Sequence, residues 1–273
     1  MKIWINGRPG AQLDARDRGL QYGDGVFETM RVRRRAVRLL DFHLERLFEG
    51  CERLMIDPPD ERRLRREIDM VAGRRQAAVL KLIVTRGVGT RGYRPSGLER
   101  STRLMMVDPL PRPPPRSADG PVRVRVCATR MGANPRLAGM KTLNRLESVV
   151  ARSEWSDARI REGLMLDGAD HVVCGTMSNV FSRRGDVLMT PLLDRCGVAG
   201  VMRRWVLGEA AALGLRPIER RLRLDDFTAA DEVFITNAIM GVVSVSEIIA
   251  GRTRSRVGIG GTAALLRARL ESH

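Results

Sequence analysis

The chain has 273 residues, 43% apolar and 29% charged, which is the balance of a chain with well-buried cores and excludes a disordered one. A formal net charge of +16 is paired with only 4% aromatic residues, none interleaved with the basic runs as base-stacking platforms would be. A positive field that draws in small anions is therefore a better use of the charge than nucleic-acid binding, and a basic nucleic-acid-binding protein stays only a remote alternative.

In chain order, KIWIN reads as a short strand and GDGVFETMRV as a loop entering a second one. DFHLERLFEGCERLMI reads as a helix, because Leu44, Leu47, Phe48, Cys51 and Leu54 form one apolar stripe. His43, at its start, reads as a structural or capping residue. Another helix is expected over about 60–73, then the strands AAVLKLIVTR and TRLMMVD. AAVLKLIV, among the longest apolar runs, is broken by charge well short of a bilayer span, so no membrane association is expected. The opening MKIWINGRPG lacks the apolar region of a secretory signal, which points to the cytoplasm.

DPLPRPPPRSADGP, with five prolines before position 116, suits a stiff linker. It divides an N-terminal domain, 1–110, from a larger C-terminal domain, 121–273, with 111–120 as the linker. The second domain opens on the strand VRVRVCATR and a helix over TLNRLESVVARSEWSDA. A β-meander follows through GLMLD, HVVCG, NVFSRR and VLMTP. A helix is expected from Gly200 to near Gly214, then the strands EVFITNA and VVSVSEII and a terminal helix. Helices mixed with meandering strands predict two α+β domains rather than alternating βαβ units.

Among 48 basic residues only Lys2, Lys81 and Lys141 are lysine, leaving 45 arginines. A guanidinium replaces an ammonium as a surface charge, but it does not deprotonate and attack a carbonyl. A Schiff-base nucleophile is one place where lysine must stay. Other chemistries find little support. GVGTRG, residues 87–92, fits the dinucleotide pattern, but Pro95 blocks the helix that must follow directly. The cysteines Cys51, Cys127, Cys174 and Cys196 have no CxxC spacing, which argues against a zinc site or a disulfide framework. No Gly-x-Ser-x-Gly elbow or phosphate-binding P-loop is present.

A series of stretches runs in a familiar order: QYGDGVFET (21–29), HLERL (43–47), LKLIVTRGVGTRGY (80–93), NPRLAGMKTLNRLE (134–147), SNVF (178–181), TPLLDRCGVAGVMR (190–203) and DEVFITNAIMGVVSV (231–245). Together they resemble the class IV, D-amino-acid-transaminase-like fold of pyridoxal-phosphate enzymes. The resemblance covers nearly the whole chain. Within that family, RGY and NPRLAGMKTLNRLE look most like the aminodeoxychorismate lyases, which split 4-amino-4-deoxychorismate into 4-aminobenzoate and pyruvate on the way to folate.

The resemblance implies that Lys141 holds pyridoxal 5'-phosphate as a Schiff base and, once released, moves the substrate's Cα proton. It implies that Arg46 of HLERL binds the cofactor phosphate, together with the backbone amides of Val201 and Met202 and the Asn237–Ala238 turn, with the cofactor between the domains. The family pattern places a glutamate opposite the pyridinium nitrogen, five residues before the asparagine of SNVF; here that residue is Cys174. A neutral thiol makes the ring a weaker electron sink, and a thiolate would substitute only where the site lowered its pKa. The departure weakens the rival reading, a D-amino-acid or branched-chain aminotransferase on the same fold. The substrate implied is a small anion gripped by Arg91 and Tyr93 of TRGY, with Thr29 facing the same cavity. The resemblance also implies a homodimer.

Overall fold

The computed structural model describes residues 2–73, 75–111 and 120–272. The proline-rich linker expected at 111–120 lies almost wholly outside the described residues. The chain divides into two units. The first is Met1–Arg112 with Met140–Asn144, and the second is Pro113–Gly139 with Arg145–His273.

The first unit comprises β1 (Lys2–Ile5), β2 (Arg8–Pro9), α1 (Arg18–Tyr22), β3 (Gly25–Arg33), β4 (Ala36–Val37), α2 (Leu40–Arg53), α3 (Glu61–Ala72), β5 (Ala77–Thr85) and β6 (Thr102–Asp108). Its strands form one antiparallel sheet in the order β2-β1-β6-β5-β3-β4. Alternation decides its two faces. Val26, Met30 and Val32 of β3, with Leu80, Leu82 and Val84 of β5, point into a core. There they meet Leu44, Leu47 and Cys51 of α2 and Leu64 and Ile68 of α3, while Phe48 and Leu54 pack partly buried against the same core. The expected stripe of α2 is thus the packed one. Gly50 lets α2 approach closely, since a Cβ there would stand 2.9 Å from Cγ1 of Val26.

The lysine-bearing segment departs from expectation twice. TLNRLE was expected to open a helix inside the C-terminal domain. Instead Met140–Asn144 belongs to the first unit and lines the edge of β3. Phe27 N–H donates to the Lys141 carbonyl at 3.0 Å and Leu143 N–H to the Gly25 carbonyl at 3.0 Å, with Val26 and Thr142 bridged antiparallel between them. Among the described strands β4 alone pairs β3 on that side, at Val32 and Arg33, so its first residues have an open edge to fill.

The second unit comprises β7 (Val122–Met131), α4 (Leu146–Arg152), β8 (Ile160–Asp167), β9 (Val172–Gly175), β10 (Asn179–Arg184), β11 (Val187–Pro191), α5 (Val201–Glu209), β12 (Arg216–Arg220), α6 (Asp225–Thr228), β13 (Glu232–Asn237), β14 (Gly241–Ala250), β15 (Thr253–Arg256) and α7 (Thr262–Ser272). The sheet runs β12-β11-β10-β13-β14-β7-β8-β9, with β15 added to β14. It is mixed: β11–β12, β14–β7 and β7–β8 are parallel. The expected meander is therefore two hairpins, β8–β9 and β10–β11, at opposite ends of the strand order. The turn Gly175–Ser178 separates them, and β10 takes β13 as its second neighbour. The α+β organisation holds in both units. Among the described residues no helix is long and apolar enough to cross a membrane.

Candidate active site

Lys141 and Phe27 are paired across the open edge of β3, so their side chains share the sheet face turned away from the core. The Lys141 ammonium sits 4.1 Å from the centroid of the Phe27 ring. Thr29 and Lys81 face each other across β3 and β5 on the same side, and the Lys81 ammonium lies 5.3 Å from that ring's centroid. Two of the chain's three lysines thus converge on one aromatic ring.

The opposite side of β3 carries Glu28, 1% exposed, facing α2. Arg46 donates from Nε to Oε1 at 2.8 Å and from its terminal nitrogen to Oε2 at 2.5 Å. His43, one turn earlier on α2, places Nδ1 2.6 Å from Oε2. Burial pushes the Glu28 carboxyl up, but the Arg46 charge and the hydrogen bond from His43 outweigh it and hold the group at about 2. Burial, partly offset by Glu28, keeps His43 below its ordinary value of 6.5, so it stays neutral at pH 7. The expected structural role of His43 is this one: a buried bracket for Glu28, which in turn fixes the Arg46 guanidinium.

Arg91 and Tyr93 belong to the same unit but are exposed, Tyr93 to 86%, and among the described residues no hydrogen bond or ion pair ties them to Lys141 or Arg46. Arg18 holds their loop instead. Its guanidinium, 3% exposed, donates to the carbonyls of Gly92 and Tyr93, each at 2.8 Å, and to Asp24 at 2.9 Å. Asp24 also receives Arg86 at 2.7 Å. Gly92 N–H donates to the Tyr22 hydroxyl at 3.2 Å, and the Tyr22 and Tyr93 rings meet edge to face. Sequence reasoning missed Arg18, since one arginine among 45 carries no signal.

In the second unit, Val201 and Met202 open α5. Gly200 at its N-cap offers no side chain, so the helix's first N–H groups have no cap of their own. Asn179 packs against Gly200: a Cβ there would lie 2.1 Å from Oδ1, while Nδ2 donates to the Val198 carbonyl at 2.8 Å. Ala238 lies in a turn closed by Asn237, whose Oδ1 accepts the N–H groups of Ile239 and Met240 at 3.0 and 2.8 Å.

Cys174 is buried in a sulfur-rich cluster with Cys127, Met131, Met165 and Cys196. Its Sγ stands 3.6 Å from Sδ of Met131. Burial first, then the nearby Glu162 charge, push its thiol up to about 12. At neutral pH Cys174 is therefore a protonated, neutral thiol. Glu162 was not singled out from sequence. It is fully buried, accepts the hydroxyls of Thr176 at 2.5 Å and Ser178 at 2.8 Å, and also accepts the N–H groups of Gly163 and Thr176. It holds the turn that follows Cys174. A lone glutamate opening an apolar strand was its only trace in the sequence.

The chain belongs to the class IV aminotransferase family, whose model, described as Amino-transferase class IV, matches residues 25–248. Among solved structures it is similar to the 4-amino-4-deoxychorismate lyase from Pseudomonas aeruginosa, with a TM-score of 0.93 and 43% identity over 99% of this chain and 98% of that one. An aminodeoxychorismate lyase of Vibrio harveyi is 34% identical over 258 residues, 94% of this chain and 95% of its own. A putative branched-chain-amino-acid aminotransferase of Methanocaldococcus jannaschii is 35% identical over 259 residues, 91% of this chain and 88% of its own.

Proposed function

We propose that this protein is a pyridoxal-phosphate-dependent lyase that converts 4-amino-4-deoxychorismate to 4-aminobenzoate and pyruvate, a step toward folate. One observation carries the assignment of the chemistry: Lys141, a rare lysine in an arginine-rich chain, is pinned by backbone bonds to the edge of β3 with its amine over Phe27. The near-full-length likeness to lyases from two organisms supports this substrate.

The residues present fit the cofactor. The bracketed Arg46 and the uncapped start of α5 are anion-binding elements suited to a phosphate, and the Asn237–Ala238 turn adds backbone groups. Pyridoxal phosphate, when bound, supplies an aldehyde for covalent attachment and an electron sink for the substrate carbon that bears the amine. With the cofactor bound, Lys141 would hold it through Nζ. Its Nζ would also take the proton from the amine-bearing carbon as the C–O bond to the enolpyruvyl group breaks, the departing enolate being protonated to pyruvate and the ring becoming aromatic. Arg91, Tyr93 and Thr29 position the anionic substrate. Cys174, as a neutral thiol, would stand where the family pattern places the partner of the ring nitrogen.

A second reading, a branched-chain or D-amino-acid aminotransferase, has the M. jannaschii relative in its favour. The neutral Cys174 counts against it, because transamination leans harder on a protonated ring. Incubating the purified protein with aminodeoxychorismate, and separately with amino donors and 2-oxoglutarate, distinguishes the two by product. Borohydride should fix pyridoxal phosphate to the peptide containing Lys141, and Lys141→Arg should abolish both fixation and turnover. A Lys141→Arg protein that still fixes the cofactor and turns over refutes the assignment.

We further infer a cytoplasmic homodimer. The exposed apolar residues of α4, Leu146 at 78%, Val149 at 57% and Val150 at 56%, are consistent with a partner surface. Light scattering of the purified protein and cell fractionation test these two points.

A further inference from the structure

Glu162 is a fully buried carboxylate of the second unit that the chemistry above does not use. A charge with no access to water needs its lone pairs filled, and Glu162 fills most of them from one short turn. Its Oε1 accepts the Gly163 N–H at 2.9 Å, the Thr176 N–H at 3.1 Å and the Thr176 hydroxyl at 2.5 Å. Its Oε2 accepts the Ser178 hydroxyl at 2.8 Å and the Met177 N–H at 3.3 Å. Three successive residues, Thr176, Met177 and Ser178, thus hang on one side chain. Gly175 leaves room for it, since a Cβ there would stand 2.8 Å from Cδ of Glu162.

The turn so held touches two other segments of the same unit. The Met177 carbonyl accepts Nδ2 of Asn237 at 3.2 Å, and Oδ1 of that same amide closes the turn containing Ala238. Asn179, directly after Ser178, sets Nδ2 on the Val198 carbonyl at 2.8 Å and Oδ1 against Gly200, the N-cap of α5. Met177 and Asn179 are therefore fixed points for the two backbone elements assigned above to the cofactor phosphate. Glu162 anchors both.

Resting on the cofactor reading above, we propose that Glu162 is a positioning residue for pyridoxal phosphate: it sets the 176–178 turn, which through Asn237 and Asn179 holds the Asn237–Ala238 turn and the start of α5 in place for the phosphate. The position requires a carboxylate, not merely its shape. In a glutamine one acceptor becomes an amide nitrogen. Turned one way, that nitrogen meets the Met177 N–H; turned the other, it meets those of Gly163 and Thr176. Donor facing donor leaves both unpaired in the interior and displaces the turn.

The test strips the full chain of cofactor and titrates it with pyridoxal phosphate and, separately, with pyridoxal, which lacks the phosphate. Binding is read from borohydride fixation to the peptide containing Lys141. Glu162→Gln should raise the Kd for pyridoxal phosphate about tenfold or more, and that for pyridoxal less than about twofold. Glu232→Gln is the control. It alters another fully buried carboxylate of this unit, one that accepts the N–H groups of Thr262 and Ala263 at the start of α7. Its unfolding temperature should fall while both Kd values stay at wild type. If Glu162→Gln does not fold, Ser178→Ala removes a single hydrogen bond and should weaken pyridoxal phosphate alone, by about threefold. A pyridoxal-phosphate Kd unchanged from wild type, or equal losses for the two ligands, overturns the positioning role. A wild type that fixes no pyridoxal phosphate overturns the cofactor reading beneath it.

Discussion

Glu28→Gln removes the charge that brackets Arg46 and His43 while keeping the side chain's shape. Glu28 is 1% exposed, so water screens it little. Burial alone would raise its pKa from the ordinary 4.5; the Arg46 charge and the His43 hydrogen bond instead hold it at about 2. That fall corresponds to ~3 kcal/mol of folded-state stability at neutral pH. Breaking a buried ion pair by removing one partner costs a similar ~3–5 kcal/mol. The folded pKa lies below the unfolded one, so the contribution is complete above the unfolded value and is lost as pH falls through the folded value. Roughly 40% of it should remain at pH 3 and little at pH 2. Urea unfolding followed by circular dichroism should therefore show Glu28→Gln weaker by ~3 kcal/mol at pH 7, with the gap closing to ~1 kcal/mol at pH 3. Pyridoxal-phosphate occupancy should fall as well, since Arg46 is no longer fixed. A gap under ~0.5 kcal/mol at pH 7, or one that does not close in acid, would refute this account of the bracket.

Two further substitutions test the surroundings. Cys174→Glu replaces a thiol pushed up to about 12 with a carboxylate; transamination between amino donors and 2-oxoglutarate should appear and lyase turnover should drop about tenfold, whereas unchanged rates of both would count against the role given to the neutral thiol. Arg18→Gln removes the donors to Gly92, Tyr93 and Asp24; steady-state kinetics should show KM for aminodeoxychorismate rising about tenfold with a smaller change in kcat. Arg18→Lys should not restore it, because one ammonium does not reproduce the planar fork that serves these acceptors. A KM within twofold of wild type would show that the loop holds its shape without Arg18.

The lysine count narrowed the candidate Schiff-base residues to three, because deprotonation chemistry separates the two basic side chains regardless of fold, and the resemblance of NPRLAGMKTLNRLE pointed to Lys141 among them. The α2 stripe and the strands of the first sheet were equally legible, since alternation and helical period report which face is buried. What periodicity does not report is the neighbour. The apolar residues of TLNRLESVV suggested one packed helix. In the structure Thr142 bridges Val26 at a sheet edge, while Leu146, Val149 and Val150 of α4 face solvent.

Local pattern therefore determined the α+β class and most of the elements. Tertiary structure alone decided that Lys141 stands beside Phe27, that Glu28 and His43 bracket Arg46 and that Glu162 holds the turn after Cys174. These follow from pairing register and from which side chains share a low-dielectric interior, and both are set by segments far apart in the chain. No short window of sequence contains them.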